Sequence, residues 1–186
     1  MTQATLDPGS ALSVRDGVAA DASRVEAVHW ASRNAAYQHV AGWPPEHPGL
    51  PERIDLWRQW LSHPGITCMV AESDGVIVGL CTLRACTDED LDRSRIAEMP
   101  TLYVHPDAWS RGIGTRLCAA ACERARAAGY EALVLWSIDS NTRSERFYTH
   151  FGFTREPVTK VVDWPHDTLT ARRYRIELRQ DATRPS

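Results

Sequence analysis

A glycine-rich turn is the part of this sequence whose residue types and spacing most directly suggest chemistry. It lies in HPDAWSRGIGTRL, His105 to Leu117, where Gly112 and Gly114 stand at the start of an apolar-periodic run. The first N–H groups of a helix have no partner within the helix, and glycines let a phosphate approach the backbone closely. The turn is therefore a candidate phosphate site, although a Gly-x-Gly before a helix is often only a tight turn.

Two common phosphate-binding motifs do not fit this turn. A P-loop requires Gly-Lys-Ser/Thr after its variable residues, and a dinucleotide fingerprint requires a third glycine where Leu117 stands. A dinucleotide turn also normally follows the first strand of its sheet, whereas several predicted elements precede this turn. The sequence thus favours a different kind of phosphate site.

The turn is predicted to lie inside a strand–helix–strand unit. The strand AEMPTLYVHP ends at His105-Pro106, because the residue before a proline favours extended backbone. The helix runs from Gly112 to Ala128 and ends at Gly129, and EALVLWSI indicates a buried strand. Such a connection is right-handed and parallel, which puts the turn at the carboxyl end of the first strand.

Further elements are predicted on both sides of this unit. Their signals are brief alternation, helical spacing of apolar residues, a proline in a first helical turn and an Asp-Gly hairpin. In chain order they are a first strand in ALSVRDG, helix one in DASRVEAVHWASRNAAYQHV, helix two in PERIDLWRQWL, strands two and three in GITCMVAESDGVIVGLCTLRAC, a last helix in TRSERFYTH, and a closing antiparallel pair in FTREPVTKVV and ARRYRIELR.

Composition and charge favour a globular protein with no nucleic-acid or membrane partner. The chain has 186 residues and a net charge of −3, from 21 basic and 24 acidic residues. No run approaches the roughly 18 apolar residues needed to cross a bilayer, and no leader peptide is recognisable. We expect a cytoplasmic protein with a single domain over residues 10–179 and flexible tails at 1–9 and 180–186.

The five cysteines are expected to be reduced core residues, because they lie within apolar stretches rather than in a spaced framework. Cys118 and Cys122 lie one helical turn apart, but no histidine stands at metal-ligand spacing beside them, so we expect no metal. No histidine has a recognisable partner spacing to Cys81, Cys86 or Cys118 either. A covalent acyl-cysteine intermediate is therefore not expected.

Two motifs resemble those of the GNAT superfamily of acyl-CoA-dependent N-acyltransferases. The stretch from Trp109 to Gly114 is similar to the signature Q/R-x-x-G-x-G/A, but tryptophan in the first position weakens any role for that side chain. NTRSERFYTHFGF, from Asn141 to Phe153, resembles a second motif, with Ser144 as its small residue. The resemblance spans roughly Leu12 to Arg179. It implies an α/β fold with a mixed, mostly antiparallel sheet and a central parallel pair, flanked by helices.

The resemblance implies acetyl-CoA as cosubstrate. The N–H groups of the turn would receive its pyrophosphate, and the pantetheine arm would lie along the end of the fourth strand near Val104. The N–H of Leu102 would polarise the thioester carbonyl, as in an oxyanion hole. The residues implied in cofactor binding are Leu102, Tyr103, Val104, Arg111, Gly112, Ile113, Gly114, Thr115, Asn141, Ser144 and Tyr148.

Acyl transfer to an amine also requires proton transfer, because an alkyl ammonium with a pKa of about 10.4 is mostly protonated at neutral pH. Glu98 lies four residues before Leu102 on the same strand and face, where the family often has a base acting directly or through water. A solvated glutamate at a strand start is the alternative, and Pro100 removes a strand N–H nearby. Tyr148 is the candidate acid for the departing thiolate, or else a packed aromatic residue.

The acceptor side is less clearly marked. Trp30, Tyr37 and Trp43 lie in the helices and loop where the family usually builds its acceptor pocket, although aromatic residues there also suit a core. An acidic run precedes the fourth strand and would attract a cationic amine if it is not simply solvated. Its members are Asp88, Glu89, Asp90 and Asp92.

The function predicted from these features is transfer of an acetyl group from acetyl-CoA to the primary amine of a small molecule, by direct attack in a ternary complex. Two alternatives are an acetyltransferase that acts on protein N-termini or lysines, and a non-catalytic acyl-CoA-binding module. A homodimer is left open.

Overall fold

The computed structural model of the chain describes residues 12–38, 50–164 and 167–178. Every predicted strand and helix is present, in the predicted order. The strands are β1 Leu12–Asp16, β2 Ile66–Ser73, β3 Val76–Ala85, β4 Ile96–Val104, β5 Ala132–Ile138, β6 Thr154–Trp164 and β7 Asp167–Glu177. The helices are α1 Ala22–Tyr37, α2 Leu50–Ser62, α3 Ile113–Ala127 and α4 Thr142–Phe151.

The seven strands form one mixed sheet in the order β1-β2-β3-β4-β5-β7-β6. The β4–β5 pair is parallel, whereas β1–β2, β5–β7 and β6–β7 are antiparallel. This confirms the predicted α/β class with a mostly antiparallel sheet and a central parallel pair. The closing hairpin places its second strand, β7, beside β5.

The parallel pairing is short. It aligns Ile96–Glu98 of β4 with Ala132–Val134 of β5. Pro100 follows two residues later on β4 and has no N–H to donate to a ladder. The parallel register therefore covers the start of β4, before the segment predicted to bind the cofactor.

The hairpin between β2 and β3 forms at the predicted Asp-Gly turn. Asp74 has φ 50° and Gly75 has φ 77°. Two consecutive residues in the left-handed region are typical of a type I′ turn, whose twist matches that of the strands it joins.

Two compact units make up the described chain. The first contains residues 12–38, 50–82 and 101–118, and the second contains residues 83–100, 119–164 and 167–178. The first has a core cluster formed by Ala22, Val25, Val28, Trp57, Val70, Ile77 and Leu80. The second has a cluster formed by Cys86, Ile96, Ala132 and Val134, with Leu91 packed against it. A single domain over residues 10–179 stays a prediction, and the predicted tails lie outside the described residues.

All five cysteines are buried, as predicted, and none of them forms a disulfide in the structure. Burial raises the pKa of the Cys68 thiol to about 11, so this side chain is protonated at neutral pH. Within the described ranges, no three His, Cys, Asp or Glu side chains form a group that could hold a metal ion. Among the described helices, none is long and apolar enough to span a membrane.

Asp21 forms a buried ion-pair network at the start of α1. It is 0% exposed, and its two carboxylate oxygens accept from both Nη atoms of Arg15, at 2.7 and 3.2 Å. The Val18 N–H also donates to Oδ2 at 3.0 Å. The hydrogen bonds from Arg15, opposed by burial, lower the Asp21 pKa from 3.8 to about 2.

This lowered pKa predicts a stability contribution with a defined pH window. A carboxyl group with a depressed folded-state pKa stabilises the fold fully above its unfolded pKa, and this contribution is lost as the pH falls through the folded value. We expect Asp21→Asn to lower the free energy of unfolding by about 2 kcal/mol at pH 7. The free energy of unfolding should also decrease less steeply in the variant than in the wild type as the pH falls from about 4 to 2. Urea titrations across this pH range measure both effects.

The matched control is Asp55→Asn, because Asp55 pairs with Arg58 on the exposed surface of α2. An exposed ion pair of this kind contributes about 0.5 kcal/mol or less. Equal losses in the two variants would contradict the assignment of a buried, stabilising network to Asp21.

Candidate functional site

The glycine turn before α3 has the backbone geometry of an anion site. The first N–H that bonds within the helix is that of Arg116, which donates to the Gly112 carbonyl at 3.0 Å. The N–H groups of Ile113, Gly114 and Thr115 come before it and have no acceptor inside the helix. They lie at the positive end of the helix dipole, where an anion is favoured.

The turn is also open to an approaching ligand. At Gly112, which has φ 76°, an added Cβ would meet no atom within 4 Å beyond its two chain neighbours. The predicted contact residues Arg111, Gly112 and Thr115 are exposed. These observations fit a phosphate or pyrophosphate group held by backbone N–H groups.

Gly79 on β3 lets the start of α3 pack closely, a role that we did not predict. A Cβ there would lie 2.9 Å from Leu117 Cδ1, 3.1 Å from Ile113 Cγ2 and 3.2 Å from the Tyr103 carbonyl oxygen. A glycine inside a strand pattern is a signal of close backbone approach, and it could have identified this position.

The predicted pantetheine-binding segment, Leu102 to Val104, forms the half-buried end of β4. The Val104 carbonyl accepts a hydrogen bond from the indole Nε1 of Trp109 at 2.7 Å. The next residue, His105, donates its N–H to the Val78 carbonyl at 2.8 Å. The Trp109 side chain, expected to have only a weakened role, thus links the end of β4 to the segment that precedes the glycine turn.

A buried polar cluster contacts Tyr103 in the first unit. The His29 ring lies edge-on to the Tyr103 ring with centroids 4.8 Å apart, and its Nδ1 lies 3.0 Å from Glu26 Oε2. Glu26 is 1% exposed and also accepts from Trp57 Nε1 and from Arg53 Nε. Burial lowers the pKa of His29, which favours the neutral ring at neutral pH. We did not predict this cluster, although Glu26 and His29 interrupt the apolar stripe of α1.

The proposed acceptor residues are only partly described. Trp30 and Tyr37 lie on α1 and are half-buried, whereas Trp43 lies outside the described residues. A role in acceptor binding stays a prediction for all three.

Glu98, the candidate base, is a buried side chain of β4 rather than a solvated one. It is 5% exposed, and its Oε2 accepts from Arg84 Nε and Nη2 at 3.0 and 2.9 Å. Thr87 Oγ1 donates to the same oxygen at 3.3 Å. Within the described ranges Oε1 accepts no hydrogen bond, so one carboxylate oxygen remains available to accept a proton.

The second motif forms the start and interior of α4. Asn141 is the N-cap, and its side-chain oxygen accepts from the Ser144 N–H at 3.1 Å. Tyr148 is 8% exposed, and its ring packs against Phe153 and Tyr174 at centroid distances of 5.7 and 6.0 Å. Asn141 and Ser144 therefore have a structural role in helix capping. Contact of these residues with a cofactor stays a prediction.

The acidic run before β4 is partly neutralised within the second unit. The buried Arg173 guanidinium pairs with Asp88 at 3.1 Å, with Asp90 at 2.7 Å, and with Glu156. Trp136 Nε1 also donates to Asp88 Oδ2 at 3.0 Å. Arg173 of β7 is thus a counter-ion for Asp88 and Asp90, and attraction of a cationic amine by the acidic run stays a prediction.

Comparison with curated proteins identifies acetyltransferases as relatives. The mycothiol acetyltransferase of Sanguibacter keddieii is 38% identical over 99 residues, which are 53% of this chain and 31% of that protein. The mycothiol acetyltransferase of Stackebrandtia nassauensis is 28% identical over 150 residues, 80% of this chain and 46% of that protein. The chain therefore spans only about a third to a half of these relatives.

Solved structures of two N-acetyltransferases have the same fold as this chain. The ribosomal-protein-alanine N-acetyltransferase of Brucella melitensis matches with a TM-score of 0.70 and 22% identity, covering 89% of this chain and 99% of that one. The PaiA N-acetyltransferase of Thermoplasma acidophilum, in complex with coenzyme A, matches with a TM-score of 0.63 and 18% identity, covering 87% and 98%. The family model described as "Acetyltransferase (GNAT) family" matches residues 29–153, more than half of the sequence. The chain therefore belongs to the GNAT acetyltransferase family.

Proposed function

We propose that this chain is an N-acetyltransferase that moves an acetyl group from acetyl-CoA to the primary amine of a small molecule. The observation that carries the proposal is the glycine turn before α3, where the N–H groups of Ile113, Gly114 and Thr115 lack acceptors within the helix. Family membership and the coenzyme A complex of a protein with the same fold support acetyl-CoA as the donor.

The glycine turn and the end of β4 bind the donor. The pyrophosphate accepts hydrogen bonds from the backbone N–H groups of Arg111, Gly112, Gly114 and Thr115. The Ile113 side chain is buried, which fixes the orientation of the turn. The end of β4, at Tyr103 and Val104, lies along the pantetheine arm. The Leu102 N–H donates to the thioester carbonyl, where negative charge develops during attack by the amine.

We assign the proton transfers to Glu98 and Tyr148. Glu98 accepts the proton that the attacking amine must lose, directly or through water, while Arg84 holds the carboxylate in place. The Tyr148 hydroxyl donates a proton to the departing thiolate. One C–N bond forms and one C–S bond breaks, and no residue of the chain becomes acylated.

A small-molecule acceptor is supported by the two curated relatives named mycothiol acetyltransferases. The alternative polypeptide acceptor is represented by the fold neighbour named as a ribosomal-protein-alanine N-acetyltransferase, whose 22% identity supports a common fold alone. The half-buried Trp30 and Tyr37 of α1 are the aromatic side chains proposed to contact the acceptor, together with Trp43.

A competition experiment tests the acceptor class. The protein is incubated with isotope-labelled acetyl-CoA and a mixture containing a polyamine, an amino-sugar, an amino-acid ester and unstructured peptides with free N-termini or lysines. Mass spectrometry of the products should show the label mainly in the small amines. Faster labelling of the peptides would contradict the small-molecule assignment. Because Lys160 is the only lysine of the chain, its peptide reports self-acetylation as an internal control.

A further inference from the structure

Trp109 joins the two backbone segments that are proposed to bind opposite parts of acetyl-CoA. Its Nε1 donates to the Val104 carbonyl at 2.7 Å, which ties the residue before the turn to the end of β4. We propose that Trp109 is a positioning residue that fixes the spacing between this strand end and the glycine turn. The inference rests on the proposed function, because it assigns the indole a role in binding the whole cosubstrate.

Backbone hydrogen bonds close the loop between the two segments on itself, and the His105 N–H donates to β3. A 3-10 turn over Pro106–Ala108 is formed by the Ala108 and Trp109 N–H groups, which donate to the His105 and Pro106 carbonyls at 2.9 and 3.1 Å. These local bonds shape the loop but do not reach the strand end. The indole of Trp109 supplies a direct link to β4.

Left-handed backbone immediately follows this link. Ser110 has φ 62° and Gly112 has φ 76°. The left-handed region is unfavourable for a residue with a side chain, so the conformation at Ser110 must be held by its surroundings. The Trp109 hydrogen bond anchors the chain one residue before Ser110, which helps to hold the turn that presents the N–H groups of α3.

Correct spacing matters only to a ligand that contacts both segments. A ligand that binds at two places gains affinity when the places are held at the right separation, whereas a fragment that binds at one place does not. Removing the indole N–H of Trp109 should therefore weaken the binding of acetyl-CoA. Binding of 3′-phospho-ADP, which carries the pyrophosphate without the pantetheine arm, should be unaffected. A general loss of folding would affect both ligands.

Two substitutions distinguish the contribution of the Trp109 hydrogen bond from that of the ring volume. Trp109→Phe keeps an aromatic side chain but removes the donor. Trp109→Gln places an amide N–H the same number of covalent bonds from Cα as the indole N–H, so it can donate to the Val104 carbonyl. Trp60→Phe is the matched control, because Trp60 is a partly buried residue packed on the first core cluster and makes no hydrogen bond through Nε1 within the described residues.

Calorimetric titration of the full chain and these variants tests the proposal. We expect Trp109→Phe to raise the acetyl-CoA Kd about five- to tenfold and to change the 3′-phospho-ADP Kd by less than about twofold. Trp109→Gln should restore the acetyl-CoA Kd to within about twofold of wild type, and Trp60→Phe should leave both constants within that range.

Three results would overturn the role of Trp109: unchanged acetyl-CoA binding in Trp109→Phe, equal weakening of both ligands, or no recovery in Trp109→Gln. If Trp109→Phe does not fold, Trp109→Met replaces it, because methionine has the length of glutamine but no donor. Weaker binding of acetyl-CoA alone in Trp109→Met than in Trp109→Gln supports the role, and equal acetyl-CoA binding in the two variants contradicts it. Failure of the wild-type chain to bind acetyl-CoA would instead contradict the proposed function itself.

Discussion

Replacing Gly112 with glutamate is expected to weaken acetyl-CoA binding by at least about 100-fold, because it places a carboxylate beside the proposed pyrophosphate site. Gly112 is exposed, and its added Cβ would meet no neighbouring atom. The substitution therefore disturbs packing little, and its main structural cost is the left-handed φ of 76°. Calorimetric titration with acetyl-CoA measures the loss.

Gly75→Glu is the matched control for this variant. Gly75 lies in the β2–β3 turn with φ 77°, and its added Cβ also meets nothing within 4 Å. Both variants gain the same charge and the same backbone strain, of about 1 kcal/mol. Only Gly112→Glu should lose the ligand, and retention of normal binding in Gly112→Glu would remove the glycine turn from the proposed site.

The second large effect is expected at Tyr148. Tyr148→Phe should lower kcat for acetyl transfer about 100-fold, because it removes the proton donor for the thiolate. Its acetyl-CoA Kd should change little, since the ring can keep its packing against Phe153 and Tyr174. Steady-state release of the CoA thiol measures the rate.

Tyr174→Phe controls for the loss of a buried hydroxyl from the same aromatic cluster. Tyr174 is 2% exposed and lies opposite Leu135 in the β5–β7 ladder. An equal fall in kcat for both variants would indicate a structural role for Tyr148.

Glu98→Gln is the companion change, because glutamine can still accept a hydrogen bond from Arg84 but is not a base. A double variant, Glu98→Gln with Tyr148→Phe, that retained the wild-type rate would contradict the proposed acid–base chemistry.

Local signals were sufficient to predict the elements of the fold. The Asp-Gly turn forms with both residues left-handed, and the helices α3 and α4 end beside Gly129 and Gly152, which have φ 87° and 117°. Glycine and proline mark such boundaries because their backbone freedom is unusual and acts within a few residues. The position of the glycine turn at the start of α3 was predictable for the same reason.

Pairings between distant segments were not predictable from local signals. The last two strands were expected to form a hairpin, but whether β6 or β7 lies beside β5 depends on which strand packs better against the existing sheet. The partners of the site residues depend on the same arrangement. Glu98 accepts a hydrogen bond from Arg84 on the neighbouring strand. Arg173 pairs with Asp88, although the two residues are 85 positions apart in the sequence.

Side-chain hydrogen bonds to the backbone were the other feature that sequence patterns did not reveal. Tryptophan at position 109 departs from the family signature and was expected to weaken any role of that side chain, whereas its indole N–H donates to the Val104 carbonyl. The sequence shows a glycine at position 79 inside the β3 pattern, but its structural role depends on how closely α3 approaches the strand. Such roles follow from packing distances that hydrophobic periodicity does not specify.

The most direct test of the proposed acetyl transfer is the release of CoA thiol from acetyl-CoA by the purified chain, measured with and without a small primary amine. We expect thiol release that depends on the amine and is matched mole for mole by an N-acetylated product. Binding of acetyl-CoA with no amine-dependent thiol release across the acceptor panel would contradict it, and would assign the chain as an acyl-CoA-binding module.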